Sequence, residues 1–120
     1  MSTDNTNVRL NELLGYIREG RIMDAMNEFY ADNVTMKEPA YGATYGLKAN
    51  LDREQQFVDS VAEFKRFESP KVHIGDDTSS YENIMEWTGT DGRDVRVEQV
   101  AVQEWKDGKI VHERFYYANA

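Results

Sequence analysis

The last quarter of the chain, GRDVRVEQVAVQEWKDGKIVHERFYYANA, constrains the fold more than any other stretch. Two long runs of alternating residues meet there at Asp107-Gly108. An Asp-Gly pair between such runs favours a tight antiparallel hairpin, because both central turn positions need positive φ. The start of the chain has a different period. Leu10, Leu13, Leu14 and Ile17 fall on one helical face, and Ile22, Met23, Met26, Phe29 and Tyr30 on another, with Gly20 between them. Helices followed by ribbons predict an α+β domain.

Between these ends, Val34 and Met36 alternate with polar residues as far as Pro39, which predicts a short strand. AYGATYG reads as a loop. A third helix is predicted from about 47 or 51 to Phe64, with Leu51, Val58, Val61 and Ala62 as its stripe. After Pro70 the period drops to two, and four strands are expected: KVHIG, SYENIMEWTGT, about 93–105, and 110–117. Residues 1–7 read as a flexible polar tail and 8–118 as a single domain.

Composition removes several function classes. The formal net charge is −8 with no basic stripe, so neither nucleic acid nor an anionic membrane surface is an expected partner. With no cysteine, thiol catalysis and disulfides are excluded. No window is apolar enough for a membrane span, and a cytoplasmic protein is expected. His73 and His112 are isolated, without ligand spacing, and there is no phosphate-cradling loop, nucleophile elbow or dinucleotide fingerprint. Neither metal nor cofactor is expected.

The faces of the final hairpin depend on its turn. A two-residue turn pairs Trp105 with Ile110 and puts Val100 and Val102 with Val111, Phe115 and Tyr117. A three-residue turn with a bulge instead joins Gln99, Ala101 and Gln103 to Val111, Glu113, Phe115 and Tyr117. The hydrophobic pattern favours the first. Under either, both sheet faces carry large apolar groups, so helices are expected over one face and a second subunit over the other.

Glu38 is the sharpest candidate for chemistry. It ends a strand beside Pro39 and a Gly/Tyr loop, and a carboxylate held in an apolar pocket becomes basic enough for proton transfer. The bland alternative is an exposed strand-end glutamate. Glu113 is a second acid/base candidate, with the same alternative. Glu82, Glu86, Arg96 and Glu98 read as cross-strand pairs on a surface.

The segments FYADNVTMKEP, YGLKANLDREQQFVDSVAEF and VAVQEWKDGKIVHERFYYA together resemble the SnoaL-like branch of the nuclear transport factor two-like superfamily, over nearly the whole chain. The resemblance implies a cone of three helices on a strongly curved, mostly antiparallel sheet around a ligand cavity, and homodimers through the outer sheet face. Its relatives include polyketide cyclases, limonene epoxide hydrolase and ketosteroid isomerase. The isomerase's Asp-Pro base position matches Glu38-Pro39, but its oxyanion-donor positions fall on Leu13 and near Ala101. The hydrolase's final-strand acid, directly after an arginine, falls on Phe115 after Arg114. What remains is a pocket protein for an apolar small molecule, with Glu38 as base and Glu113 as second carboxylate. Gln99 and Tyr117 would orient the ligand, and Tyr16 and Phe57 would form the wall. The alternative is a non-catalytic homodimeric binding module.

Overall fold

The computed structural model describes residues 2–118. The chain runs α1 (Thr3–Arg18), α2 (Ile22–Phe29), β1 (Tyr30–Glu38), β2 (Gly42–Tyr45), α3 (Leu47–Asp59), β3 (Val61–Ile74), β4 (Thr78–Gly89), β5 (Asp94–Lys106) and β6 (Lys109–Tyr116). The strands form one sheet in the order β2-β1-β6-β5-β4-β3. Neighbours are antiparallel except β1 and β6, which are parallel. The three helices pack on one face of this open, mixed sheet, as the α+β expectation required.

Leu10, Leu13 and Leu14 of α1, Ala25, Met26 and Phe29 of α2, and Val34, Ala101, Trp105 and Ile110 of the sheet form the core. Each large member, fully buried, contributes about 1.5–3 kcal/mol of transfer free energy.

α1 begins earlier than its apolar spacing indicates. Ser2 caps it, its Oγ accepting from the Asn5 N–H at 3.1 Å. Thr6 is fully buried and donates to the Asp76 carbonyl at 2.6 Å. Residues 3–7, read from sequence as tail, are therefore helical turns seated on the β3–β4 connection. Met1 lies outside the described residues.

Two other boundaries differ. AYGATYG contains β2, which pairs with β1 across a short loop. Val61, Ala62 and Phe64 belong to β3, not to the third helix, which stops at Asp59. Ser60 closes that helix, its Oγ donating to the Phe57 carbonyl at 2.6 Å, and β-branched and aromatic residues then continue as strand. Pro70 does not end β3. The strand lies at the sheet edge, where a missing N–H costs little, and its register with β4 shifts between Glu68 and Lys71.

The final hairpin combines both sequence readings. Its turn has two residues: Lys106 pairs with Lys109 and Trp105 with Ile110, while Asp107 and Gly108 have φ of 52° and 79°. The register then shifts, so that Glu104 faces His112 and Val111 is the extra residue. Beyond this bulge Gln103 pairs with Glu113 and Ala101 with Phe115. The turn is the favoured one, but the faces are those of the alternative.

Candidate functional site

A cavity of about 630 Å³ lies between the helices and the inner sheet face. Leu13 and Ile17 of α1, Met26 of α2, and Phe67, Met85, Trp87 and Phe115 of the sheet make its wall largely apolar. Its polar lining includes Glu38, Arg53, Glu54, Asn83, Gln99 and Tyr117.

Glu38 is the last residue of β1, and alternation from Met36 turns it inward. The Tyr117 hydroxyl donates to Glu38 Oε2 at 2.8 Å. The other oxygen, Oε1, is buried without a partner. Burial first, and the bond to Glu38 next, push the Tyr117 phenol up to about 12, so it remains a donor at neutral pH.

α3 supplies a stripe of which the sequence reading had only Phe57. Asn50, Arg53, Glu54 and Phe57 have i, i+3, i+4, i+7 spacing, and all four line the cavity. A search for apolar periodicity passes over them because three of the four are polar. Phe57 stacks edge-on against Trp87, with ring centres 5.0 Å apart. Asn50 donates to the Thr44 and Gly46 carbonyls at 3.1 and 2.8 Å and ties the helix to β2. Burial pushes the Glu54 carboxyl up to about 7, with the negative charge of Glu38 adding to the rise. Arg53 lies over the Tyr41 ring at 4.1 Å, and its Nη1 is buried without a partner.

On the sheet side, Gln99 donates to Asn83 Oδ1 at 3.1 Å, while Asn83 Nδ2 is buried and unpartnered. The unpartnered buried side-chain atoms among the described residues thus belong to Glu38, Arg53 and Asn83, and all three residues line this cavity. Buried polar groups are nearly always hydrogen-bonded, so three exceptions on residues of one cavity single it out as the candidate site.

The other sequence candidates are distributed unevenly. Glu113 is fully buried and lies behind the wall, not on it. It accepts a short hydrogen bond from the Tyr30 hydroxyl and one from Gln103 Nε2 at 2.7 Å. The chain continues through Ser79 Oγ to Gln103 Oε1 at 2.7 Å and Trp105 Nε1 to Ser79 Oγ at 2.9 Å. Burial pushes Glu113 up to about 7, against the two donors and with a further push from Glu54. Tyr30 itself lines the cavity, so it links Glu113 to that space. Tyr16 does not line the cavity; it packs edge-on against Phe29 at 5.2 Å beneath the Arg21 guanidinium. One helical position separates it from Ile17, which does line the wall. His112 sits 3.9 Å from Glu104, and Arg66, Glu86, Arg96 and Glu98 form a chain of ion pairs on the sheet. Among the described residues no three His, Asp or Glu side chains cluster as metal ligands would. No helix there is long and apolar enough to cross a membrane.

Similar folds occur among solved structures. A Bacillus subtilis protein provisionally described as an isomerase is 21% identical, covers 98% of this chain and 90% of its own, and superposes with a TM-score of 0.80. A Mesorhizobium loti protein provisionally described as a SnoaL-like polyketide cyclase is 21% identical over 92% and 97% of the two chains, with a TM-score of 0.77. A de novo designed protein with a curved β-sheet is 19% identical over 98% and 88%, with a TM-score of 0.73. At these identities the likeness concerns the fold alone, and a designed chain among the matches shows that the fold names no reaction. No curated protein matches. The profile of the family described as "SnoaL-like domain", however, matches residues 1–117. Together with the three-helix, six-stranded architecture, that match places the chain in the SnoaL-like domain family.

Proposed function

We propose that this chain binds an apolar small molecule in the helix–sheet cavity and moves a proton on it without a cofactor. Glu38 is the base, and Glu54 is the group that returns a proton. One observation carries the reading. Two carboxylates share a mostly apolar cavity of about 630 Å³, and one of them is held near 7, where it exists in both protonation states at neutral pH. Such a pair can accept a proton at one oxygen and deliver one from another. Tyr117 fixes the Glu38 carboxylate through Oε2, while Oε1 has no hydrogen-bond partner within the protein. Glu113, proposed from sequence as the second carboxylate, acts through Tyr30 rather than on the ligand. Gln99 and Phe57 remain ligand contacts in this reading. Tyr16 supports the helices instead. A cytoplasmic setting belongs to the same proposal, and a cysteine-free chain is compatible with it.

The test uses 5-nitrobenzisoxazole, a flat apolar probe whose ring opens with a colour change once a base removes its proton. The wild type should accelerate opening well beyond free acetate at equal concentration. Glu38→Gln should lose about 10²-fold or more, a typical contribution for a positioned base, while its melting temperature stays within a few degrees. Equal rates for the two proteins would remove Glu38 from the mechanism.

A second reading concerns the opposite face of the sheet. Tyr116 is 47% exposed there, beside Val100, Val102 and Ile84. That apolar patch supports a homodimer through the outer sheet face, which the mass in solution would test.

A further inference from the structure

We infer that the molecule held in this cavity carries a carboxylate, and that Arg53 is the residue that selects it. The inference rests on the cavity being a ligand site and names the ligand class. Three observations lead to it. Arg53 stacks on Tyr41, lines the cavity, and keeps a buried Nη1 without a partner. The guanidinium is always charged, and none of the ion pairs found among the described residues involves Arg53. Arg53 as a whole is only partly buried, but it stands at the wall of a largely apolar cavity, where an arginine facing a carboxylate forms the stronger, charge-assisted kind of hydrogen bond. Asn83 contributes a second unpartnered donor, Nδ2, from the sheet side of the same cavity. Two residues with unmatched donors, one on α3 and one on β4, favour acceptor oxygens on an otherwise apolar ligand. An apolar hydrocarbon would leave both unsatisfied.

The two acids in the cavity set the conditions for this. Glu38 accepts from Tyr117 at Oε2 only, its Oε1 having no partner within the protein. Glu54 is held near 7 and can carry a proton, which turns it from a repelling charge into a third donor. The groups around Glu54 are Glu38 of β1, Tyr81 of β4, Tyr30, and Glu113 behind Tyr30. The acids disfavour a second negative charge, so an anionic ligand should bind best when Glu54 is protonated. Its affinity should fall as pH rises through about 7.

The experiment compares 2-naphthoate with 2-acetylnaphthalene by titration calorimetry. The two share a ring system and differ in the charged oxygen. The wild type should bind naphthoate about tenfold more tightly than the ketone, the scale of one charge-assisted hydrogen bond. Arg53→Gln should bring the two to within about twofold, and Arg53→Lys should retain part of the preference. The affinity for the ketone should be nearly the same in all three proteins, which separates recognition from a loss of folding. Naphthoate binding should weaken between about pH 6 and about pH 8, and Glu54→Gln should remove most of that dependence. Binding of the ketone alone, or a naphthoate preference unchanged in Arg53→Gln, would overturn the inference and leave the cavity reading standing. Binding of neither compound would overturn both.

Discussion

Glu113 shows what one buried carboxyl does to the stability of its host. It is fully enclosed, and holding it near 7 instead of its usual 4.5 corresponds to about 3 kcal/mol against the ionised folded form. Below about pH 4.5 folded and unfolded chains both hold the proton. Between about pH 4.5 and 7 the folded chain holds a proton that the unfolded chain has lost. The stability associated with Glu113 is thus complete at low pH and drains away as pH rises through 7. Glu54 is raised to the same range and acts in the same direction. Urea unfolding of the wild type should become easier from about pH 5 to about pH 8, and Glu113→Gln should lose roughly half of that slope. A variant whose profile runs parallel to the wild type would show that Glu113 does not titrate there. Sequence made Glu38 visible because a strand-end acid before proline is a local pattern. It could not show that Glu113 lies behind Tyr30, because residues 83 positions apart meet only in the folded sheet. Arg53 and Glu54 were hidden for a different reason. Their helix packs Leu47 and Leu51 on the core and turns polar residues beside Phe57 to the cavity, so apolar periodicity alone does not pick them out.

Elements explain why the same residue change can have opposite signs. Gly15 sits within α1, and an added Cβ there would meet nothing within 4 Å. Gly15→Ala should stabilise the protein by about 0.5–1 kcal/mol through helix propensity. Gly108 has φ of 79° in the β5–β6 turn, and its carbonyl accepts from Arg9 Nε at 3.1 Å. Gly108→Ala should destabilise by about 1 kcal/mol, since a left-handed conformation disfavours any Cβ. Chemical denaturation of both variants checks the pair; two changes of the same sign would contradict the assignment of turn and helix. That hairpin also marks how far element faces can be read from sequence. Asp107-Gly108 is a strong turn signal, and the turn is where it indicates. The bulge at Val111 carries no comparable signature; beyond it Gln103 meets Glu113 across the strands, while β6 pairs with β1 on its other side. One extra residue exchanges the two faces of everything beyond it. The Val61–Phe64 segment follows similar logic. Its apolar spacing fits a helix or a strand, and the open edge of β4 decides for strand.

At the scale of the whole molecule, the sheet has two unlike faces. The inner one is closed by three helices around the cavity. The outer one is crossed by the Arg66–Glu86–Arg96–Glu98 ion-pair chain at one end. Towards the other end lie Ile84, Val100 and Val102, with Tyr116 47% exposed beside Arg114, whose guanidinium stands 4.6 Å from its ring. Cross-strand pairing of Val100 with Tyr116 and of Val102 with Arg114 makes this a continuous apolar strip with a charged border. An apolar centre within a polar rim is the usual anatomy of a protein interface, and a two-fold axis through the strip would let each copy cover the other. Sedimentation equilibrium should therefore give a mass of about twice 13.9 kDa at micromolar concentration. Tyr116→Glu would place two carboxylates at the centre of that contact, where an unpaired buried charge costs several kcal/mol, and should return the protein to the monomer mass. Turnover of the benzisoxazole probe should survive in that monomer, because Tyr116 lies on the strand face opposite Phe115 and the cavity. A wild-type monomer, or a dimer unaffected by the glutamate, would assign the strip to some other use. Loss of turnover together with the dimer would mean that subunit contact, not the fold of one chain, completes the cavity.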